Sequence, residues 1–424
     1  LAMRLEETMA FPYAMTLGAI PPSRLDLIEE MGFEIGRQCK RLGIHVNFAP
    51  VADINTEPNN PVIGFRSFGE NKKQVAAQAA AYAKGLQAAG VLAVAKHFPG
   101  HGDTDTDSHL ALPQLNHSRE RLEEIELYPF RELFAQGIGG VMPGHIHVPA
   151  LDDTPNQGTS LSPAITHELL QKELGFTGLI FTDALNMKGA SDHFKPGDLE
   201  VQALKAGNDV LLYCEDVPAA INAIEAAMDR GEISEEWLNV RVQKQLAVKA
   251  WLGLPHPPVA HQDLMDDLHR DEAKALNRQL HQASIRVINA YPHDVLCDGK
   301  VVALAFGVEA PLPFHQALGE ADCIYWDNEK EAHWKTLLDT LKGYDQVIVS
   351  VHSDTMKAGE AFGIDESTRA RVREVLGSIP TAVLVLFANA YVLPALIEDE
   401  PFPVVMAWQN SPDAQEAAAD IFRA

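Results

Sequence analysis

One pattern constrains this chain more than any other: helical stripes alternate with short apolar runs, and the runs end in polar or ionisable side chains. Leu25, Ile28, Ile35, Cys39 and Leu42 recur at helical spacing and Gly43 stops them, after which IHVNFAPV reads as a buried strand ending at Pro50 and Val51. Val75, Ala79, Tyr82 and Leu86 make the next stripe, closed by Gly90, and VLAVAKHF follows as a strand. A third unit runs from Ser118 to Gly137 into IGGVMPGH. A fourth begins with Ser162 as N-cap and Pro163 at the first helical position and leads into GLIFTDAL, and a fifth gives GNDVLLY. Helices of this size between short apolar strands imply parallel pairing and an α/β architecture. Asp53, then Lys96 and His97, then His145 and His147, then Asp183 stand at successive strand ends. Functional groups spread in this way mark a (β/α)8 barrel, whereas a doubly wound sheet gathers them at one switch point. The expected fold is therefore a TIM-type barrel. Because only five strands are countable and the chain opens at Leu1 in mid-motif, the barrel's first strands are expected to precede it.

ISEEWLNVRVQKQLAVKAWLGL, capped by Ser234, reads as the closing helix of this domain, and PHPPVAH breaks it. The barrel is thus assigned to residues 1–254, and a linker with a connecting helix to 255–290. Across 291–424, VVALAFG, CIYW, QVIVSVH, AVLVLFA and VVMAW alternate with helical patterns, which predicts a three-layer α/β/α sandwich. It ends at IFRA shortly after a helix start, so truncation is expected there too.

Charge narrows the partners. With 34 Lys and Arg against 59 Asp and Glu, the formal charge is −25, which repels phosphate backbones and anionic membrane surfaces. A small neutral substrate is expected, and nucleic acid is not. No run approaches the roughly 20 apolar residues of a membrane helix, and LAMRLEETMAFP lacks the basic region and apolar core of a signal peptide. Cys39, Cys214, Cys297 and Cys323 lie far apart with no CxxC pair, which suits buried free thiols. That usage fits a reducing compartment and leaves the periplasm open; the oligomeric state is not legible.

The densest polar segment is KHFPGHGDTDTDSHLALP, from Lys96 to Pro113. Three readings compete for it. A solvated loop is the plainest, but Lys96 and His97 continue an apolar strand and are costly to bury without a purpose. A metal site is the second, with His145 and His147 joining these side chains in an amidohydrolase-like barrel, although the Lys96 ammonium repels a divalent cation. The third is an acid/base pair: Asp107, two residues before His109, fixes the imidazole's tautomer and raises its basicity. Asp183, at the end of GLIFT, is a carboxylate suited to attack an electrophilic carbon, with a helix N-cap as the alternative. Arg66 in NNPVIGFRSFGEN and Arg4 in LAMRLE offer fixed donor forks, for sugar hydroxyls or for structural ion pairs.

At this point the residues resemble glycoside hydrolase family 3, specifically its β-N-acetylglucosaminidase branch. KHFPGHG followed by DSH is similar to that branch's loop, LLQKELGFTGLIFTDALNMKG to the family's nucleophile signature, and NFAPVADI with GFRSFGEN to a third block. The resemblance implies a retaining exo-glycosidase acting on terminal nonreducing β-linked N-acetylglucosamine, with no metal and no other cofactor. It makes Asp183 the nucleophile, His109 the general acid/base and Asp107 its partner, and it gives Lys96, His97, Arg66 and Arg4 to sugar binding. The family's substrate-binding Asp, within a DxExG block, would fall immediately before LAMRL. Muropeptides or chitin-type oligosaccharides are the implied substrates, in peptidoglycan recycling and cell-wall metabolism. A neutral imidazole does not repel phosphate, so phosphorolysis is a credible side activity. A metal-dependent amidohydrolase, a silent sugar-binding barrel, and a β-glucosidase or phosphorylase of the same family remain open.

Overall fold

The computed structural model describes residues 5–104, 106, 112–191, 194–195, 197–255, 262–290, 299–326, 333–398 and 400–423. The chain divides into two compact units, one of Leu1–Ala10 with Leu25–Ala273, the other of Phe11–Arg24 with Lys274–Ala424.

In the first unit, β1 (Val46–Asn47), β2 (Leu92–Phe98), β3 (Gly140–Pro143) and β4 (Leu179–Ile180) pair in parallel in the order β1-β2-β3-β4. A bridge from Phe181 to Val210 brings the fifth apolar run alongside β4. Strands that add in sequence order, with a helix between each pair and no reversal, are the arrangement of a β/α barrel. The helix Leu25–Arg41 buries Ile28, Ile35 and Cys39, and the helix Lys72–Ala88 buries Val75, Ala79 and Leu86, as their stripes require. Side-chain caps mark the helix starts: Asn71 accepts from Lys73 and Gln74, and Ser162 accepts from Ile165. The helix after Ser162, Pro163–Glu173, is wound with the wider i→i+5 pattern, a difference that capping residues do not encode.

The interior of this sheet explains where its functional groups emerge. Leu92, Val94, Met142, Leu179 and Phe181 form one buried cluster. Lys96 continues the two-residue period of Leu92 and Val94, and Asp183 that of Leu179 and Phe181, so both side chains leave the sheet on the face this cluster fills.

The second unit is a six-stranded sheet, β5 (Arg286–Ile288), β6 (Val301–Phe306), β7 (Asp322–Tyr325), β8 (Gln346–His352), β9 (Ala382–Phe387) and β10 (Val404–Met406). Their order is β5-β10-β9-β8-β6-β7, with β5 antiparallel to β10 and the rest parallel. Alternate residues feed two cores: Val302, Leu304, Phe306, Val347 and Val349 lie in one, Ala303, Ile348, Val383 and Val385 in the other. A sheet buried on both faces by helices is the expected three-layer sandwich. Residues 11–24 belong with this unit, where the Tyr13 amide and the Thr16 hydroxyl both donate to Gln409 Oε1, at 2.9 and 2.8 Å. Among the described residues, no helix is long and apolar enough to cross a membrane. Cys39 is buried, Cys214 and Cys323 are partly exposed free thiols, and Cys297 lies outside the described residues.

Candidate active site

The site is organised around Asp53, which is fully buried between Ala52 and Ile54. Its segment joins β2 where the Ala52 amide donates to the Lys96 carbonyl at 2.7 Å. One carboxylate oxygen accepts the backbone N–H groups of His97 and His101, at 3.0 and 2.8 Å; the other accepts His97 Nδ1–H at 2.7 Å. Burial alone would raise this carboxyl, but the imidazoles of His97 and His101 and the amide bond outweigh it and hold Asp53 below its ordinary value. An ionised, fully desolvated carboxylate thus fixes the orientation of His97 and the start of the loop behind it.

That loop needs glycine at two places. Gly100 has φ +142° and lies against the Glu126 side chain, and a Cβ on Gly102 would fall 1.8 Å from the Ile54 carbonyl oxygen. His101 Nδ1 pairs with Thr104 Oγ1 at 2.7 Å, and burial together with the neighbouring His97 pushes its pKa down to about 4. Asn60 donates to the His101 carbonyl at 2.9 Å, while the Ser67 hydroxyl donates to the Asp53 carbonyl at 2.6 Å. These two bonds fasten the turn that carries Arg66, whose guanidinium donates to the Val62 carbonyl at 2.9 Å.

Asp183 stands just past β4, partly exposed, with its Oδ1 accepting the N–H of Ala184 at 2.8 Å. It caps no helix start there, since the next helical turn begins at Lys188. Desolvation works to raise its carboxyl, yet His97, His145, the Ala184 amide and Lys96 together bring it below the usual carboxylate range. His145 is buried; its Nε2 donates to the Ala184 carbonyl at 3.0 Å, which leaves Nδ1 to accept the Ser160 hydroxyl at 2.7 Å. Burial keeps this imidazole on the neutral side of its ordinary value. Lys96, His97 and Asp183 are therefore brought into one electrostatic neighbourhood. His147 goes elsewhere, its Nδ1 donating to the Gln157 carbonyl at 3.2 Å.

Arg4, Asp107 and His109 lie outside the described residues. Sequence reasoning placed Asp53 at a strand end without giving it a role, and it passed over Ser160. The signal for Asp53 was available, because a carboxylate held between Ala52 and Ile54 next to a buried strand must be heavily hydrogen-bonded. Nothing in the run GTSLS distinguishes Ser160 from its neighbours. Chemically, the arrangement keeps one carboxylate ionised and accessible beside fixed donors, as a nucleophile or a stabiliser of developing positive charge requires. The metal reading draws no support from these histidines. Among the described residues, ligand-type groups converge only at Asp103, His117 and Glu126.

Residues 1–248 match the family model "Glycosyl hydrolase family 3 N terminal domain". Beta-hexosaminidase A of Pseudoalteromonas piscicida is 32% identical over 414 residues, covering 89% of this chain and 67% of that protein. Beta-hexosaminidase LpqI of Mycobacterium tuberculosis is 40% identical over 217 residues, covering 49% of this chain and 54% of its own length. The chain thus spans between half and two thirds of these two relatives. A solved family 3 β-N-acetylglucosaminidase from Paenibacillus superposes with a TM-score of 0.80 at 31% identity, over 98% of this chain and 81% of that one. A β-glucoside phosphorylase, BglX, has the same TM-score of 0.80 at 19% identity, which shows a shared fold. With the family model matched over more than half of its length and a relative 32% identical over 89% of it, this chain belongs to glycosyl hydrolase family 3.

Proposed function

We propose that the chain is a retaining exo-β-N-acetylglucosaminidase that removes terminal nonreducing N-acetylglucosamine from muropeptides or chitin-type oligosaccharides. The observation that carries this reading is the Asp183 carboxylate, which stands just past β4 with its Oδ1 on the Ala184 N–H at 2.8 Å and is kept below the usual carboxylate range by its surroundings, His97 foremost. Asp183 attacks the anomeric carbon as the bond to the leaving oxygen breaks, and His109, oriented by Asp107, donates the proton that oxygen takes up. Water then attacks the glycosyl ester, His109 accepts its proton, and Asp183 leaves as the free carboxylate. Lys96, His97, Arg66 and Arg4 hold the sugar. The resemblance assigns these roles, and the Asp53 anchor of His97 is consistent with them.

A 5-fluoro N-acetylglucosaminyl fluoride, which keeps the 2-acetamido group, tests it. Intact-mass and peptide analysis should find one sugar on Asp183. A label on another carboxylate, or a full loss of turnover in chelator, would reject the reading.

A further inference from the structure

The geometry points to a binding site for a zinc-type divalent cation, formed by Asp103, His117 and Glu126, whose occupancy stabilises the first unit. The ion takes no part in the proposed reaction, and the inference does not rest on it. Three places in the chain supply the groups. Asp103 lies in the loop after β2, His117 stands just before Ser118, the N-cap of the helix Arg119–Glu124, and Glu126 follows that helix. One ligand-type atom from each lies within 4.8 Å of the other two, and His117 Nε2 is 2.6 Å from Asp103 Oδ2. Ligand atoms around a tetrahedral ion sit roughly 3.3 Å apart, between those two values, so the rearrangement required is small. A neutral imidazole can carry its proton on Nδ1 and present Nε2 to the ion.

Glu126 supplies the independent observation. It is 5% exposed, and its Oε2 has no hydrogen-bond partner. A buried carboxylate oxygen without a donor is costly, and burial accordingly pushes this carboxyl up against the pull of Arg121. Arg121 Nη2 lies 3.0 Å from Glu126 Oε1 and 3.6 Å from Asp103 Oδ2. One guanidinium facing two carboxylates leaves a surplus of negative charge. Arg121 also engages the oxygen that the ion does not need, since a ligating carboxylate is ordinarily hydrogen-bonded by its outer shell. The ligands are held in place by their neighbours. Asp103 stands between Gly102, whose carbonyl accepts the Glu57 N–H at 3.3 Å, and Thr104, whose hydroxyl donates to the His101 carbonyl at 3.1 Å. Glu126 is flanked by the fully buried Leu127 and packs against Gly100. The Asp103 and His117 side chains keep 22% and 26% exposure, which gives an ion a way in from solvent. One imidazole nitrogen with two carboxylate oxygens suits zinc better than magnesium or calcium, which take oxygen ligands alone.

The probe is Zn2+ alone, titrated into the metal-stripped full chain against a chromophoric chelator. Wild type should bind one ion with a Kd at or below about 1 µM, and excess Mg2+ should not compete. His117→Leu and Glu126→Gln, which removes the charge but keeps an oxygen for Arg121, should each weaken that binding at least about 100-fold. His269→Gln, outside the cluster, should leave it unchanged. X-ray absorption at the zinc edge should find one imidazole nitrogen, with its nitrogen and oxygen neighbours at about 2.0–2.2 Å. Saturating Zn2+ should raise the Tm of wild type by at least about 2 °C and leave that of Glu126→Gln where it was. Circular dichroism in chelator checks that each variant is folded, and Asp103→Asn replaces either one that is not. Binding only at millimolar zinc, an undiminished affinity in the folded variants, or two or more imidazoles around the ion would overturn the site and leave the cluster a set of ion pairs.

Discussion

Both units end parallel strands in buried histidines, but what faces those histidines differs. In the first unit, His97 bonds to Asp53, and His97 and His145 both lie within the field of Asp183, so each imidazole has a carboxylate to act on. In the second, His352 ends β8 and its Nδ1 donates to Asn410 Oδ1 at 3.1 Å, while His315, on the helix Pro313–Ala317, donates through Nε2 to the Ser350 hydroxyl of β8 at 3.1 Å. Asn410 stands between His352 and the nearest bonded carboxylate, that of Asp354. With no facing charge, burial pushes His315 down to about 4 and His352 to about 3. A buried imidazole at a strand end is thus not in itself a functional sign. The carboxylate it holds ionised is.

The largest expected effect breaks this contrast at its centre. On the proposed mechanism Asp183→Asn should cut turnover by several orders of magnitude, because the covalent intermediate would then not form. His352→Asn, which keeps a donor near the Nδ1 position, should leave kcat within about twofold, the range of a change outside the chemistry. Comparable losses in the two variants, measured on the same aryl N-acetylglucosaminide, would erase the distinction between the units. Next in size is Asp53→Ala. It strips the acceptor from two amides and one imidazole in a fully buried place, and each buried donor left without a partner costs about 1–3 kcal/mol. A lowered Tm together with at least about a hundredfold loss of kcat/KM is expected. A variant that lost neither would show that Asp53 is not the organiser.

The same contrast explains what the sequence disclosed. Helical stripes and apolar runs located β1 to β4 because the runs are apolar and bounded by a glycine stop or a cap, and those signals are local; β2, β3 and β4 are buried as expected but for Lys96, while β1 is only half-buried. Asp183 and Lys96 were legible because they extend strand periods into polar territory. Asp53 offered a signal, but its partners were not legible, since they are 44 and 48 residues away and two of them are backbone amides that leave no mark in composition. The affiliation of residues 11–24 with the second unit was hidden for the same reason, as it depends on Gln409, 396 residues from Tyr13.

A pH series sharpens the comparison further. His315 and His352 have folded pKa values depressed to about 4 and about 3, against about 6.5 in an unfolded chain. Above about pH 6.5 both states hold the imidazoles neutral and nothing is lost. As pH falls below that value the unfolded chain takes up protons that the folded unit refuses, so stability declines down to the folded pKa. Each group contributes at most about 1.4 kcal/mol per pH unit in that window. His281, also pushed down to about 4, adds to the second unit's slope, and His101 gives the first unit a slope of its own. The double variant His315→Gln with His352→Asn should therefore show a smaller Tm drop between pH 7 and pH 5 than wild type. Asp183, held below the ordinary carboxylate value, stays ionised through that window. An identical Tm drop in the two proteins would locate the acid sensitivity elsewhere.

The smallest effect tests how far the field around Asp183 is tuned by groups that never touch it. Ser160 is fully buried, and its hydroxyl donates to His145 Nδ1, so Nε2 is the protonated nitrogen that reaches the Ala184 carbonyl. Ser160→Ala removes one neutral hydrogen bond, worth about 1 kcal/mol, and leaves a lone pair on Nδ1 without a donor. The ring then keeps only its Nε2–H bond to the Ala184 carbonyl and can tilt about it. Since the Ala184 amide is itself a donor to Asp183, a small shift of that peptide reaches the carboxylate directly. A three- to tenfold loss of kcat/KM is expected, in keeping with about 1 kcal/mol. Because proton donation to the leaving group is untouched, activated and poor leaving groups should lose alike. Imidazole nitrogen shifts would report the ring's hydrogen bonds independently of rate. A Ser160→Ala enzyme with unchanged His145 nitrogen shifts and unchanged kcat/KM would confine control of Asp183 to the groups whose charge it feels.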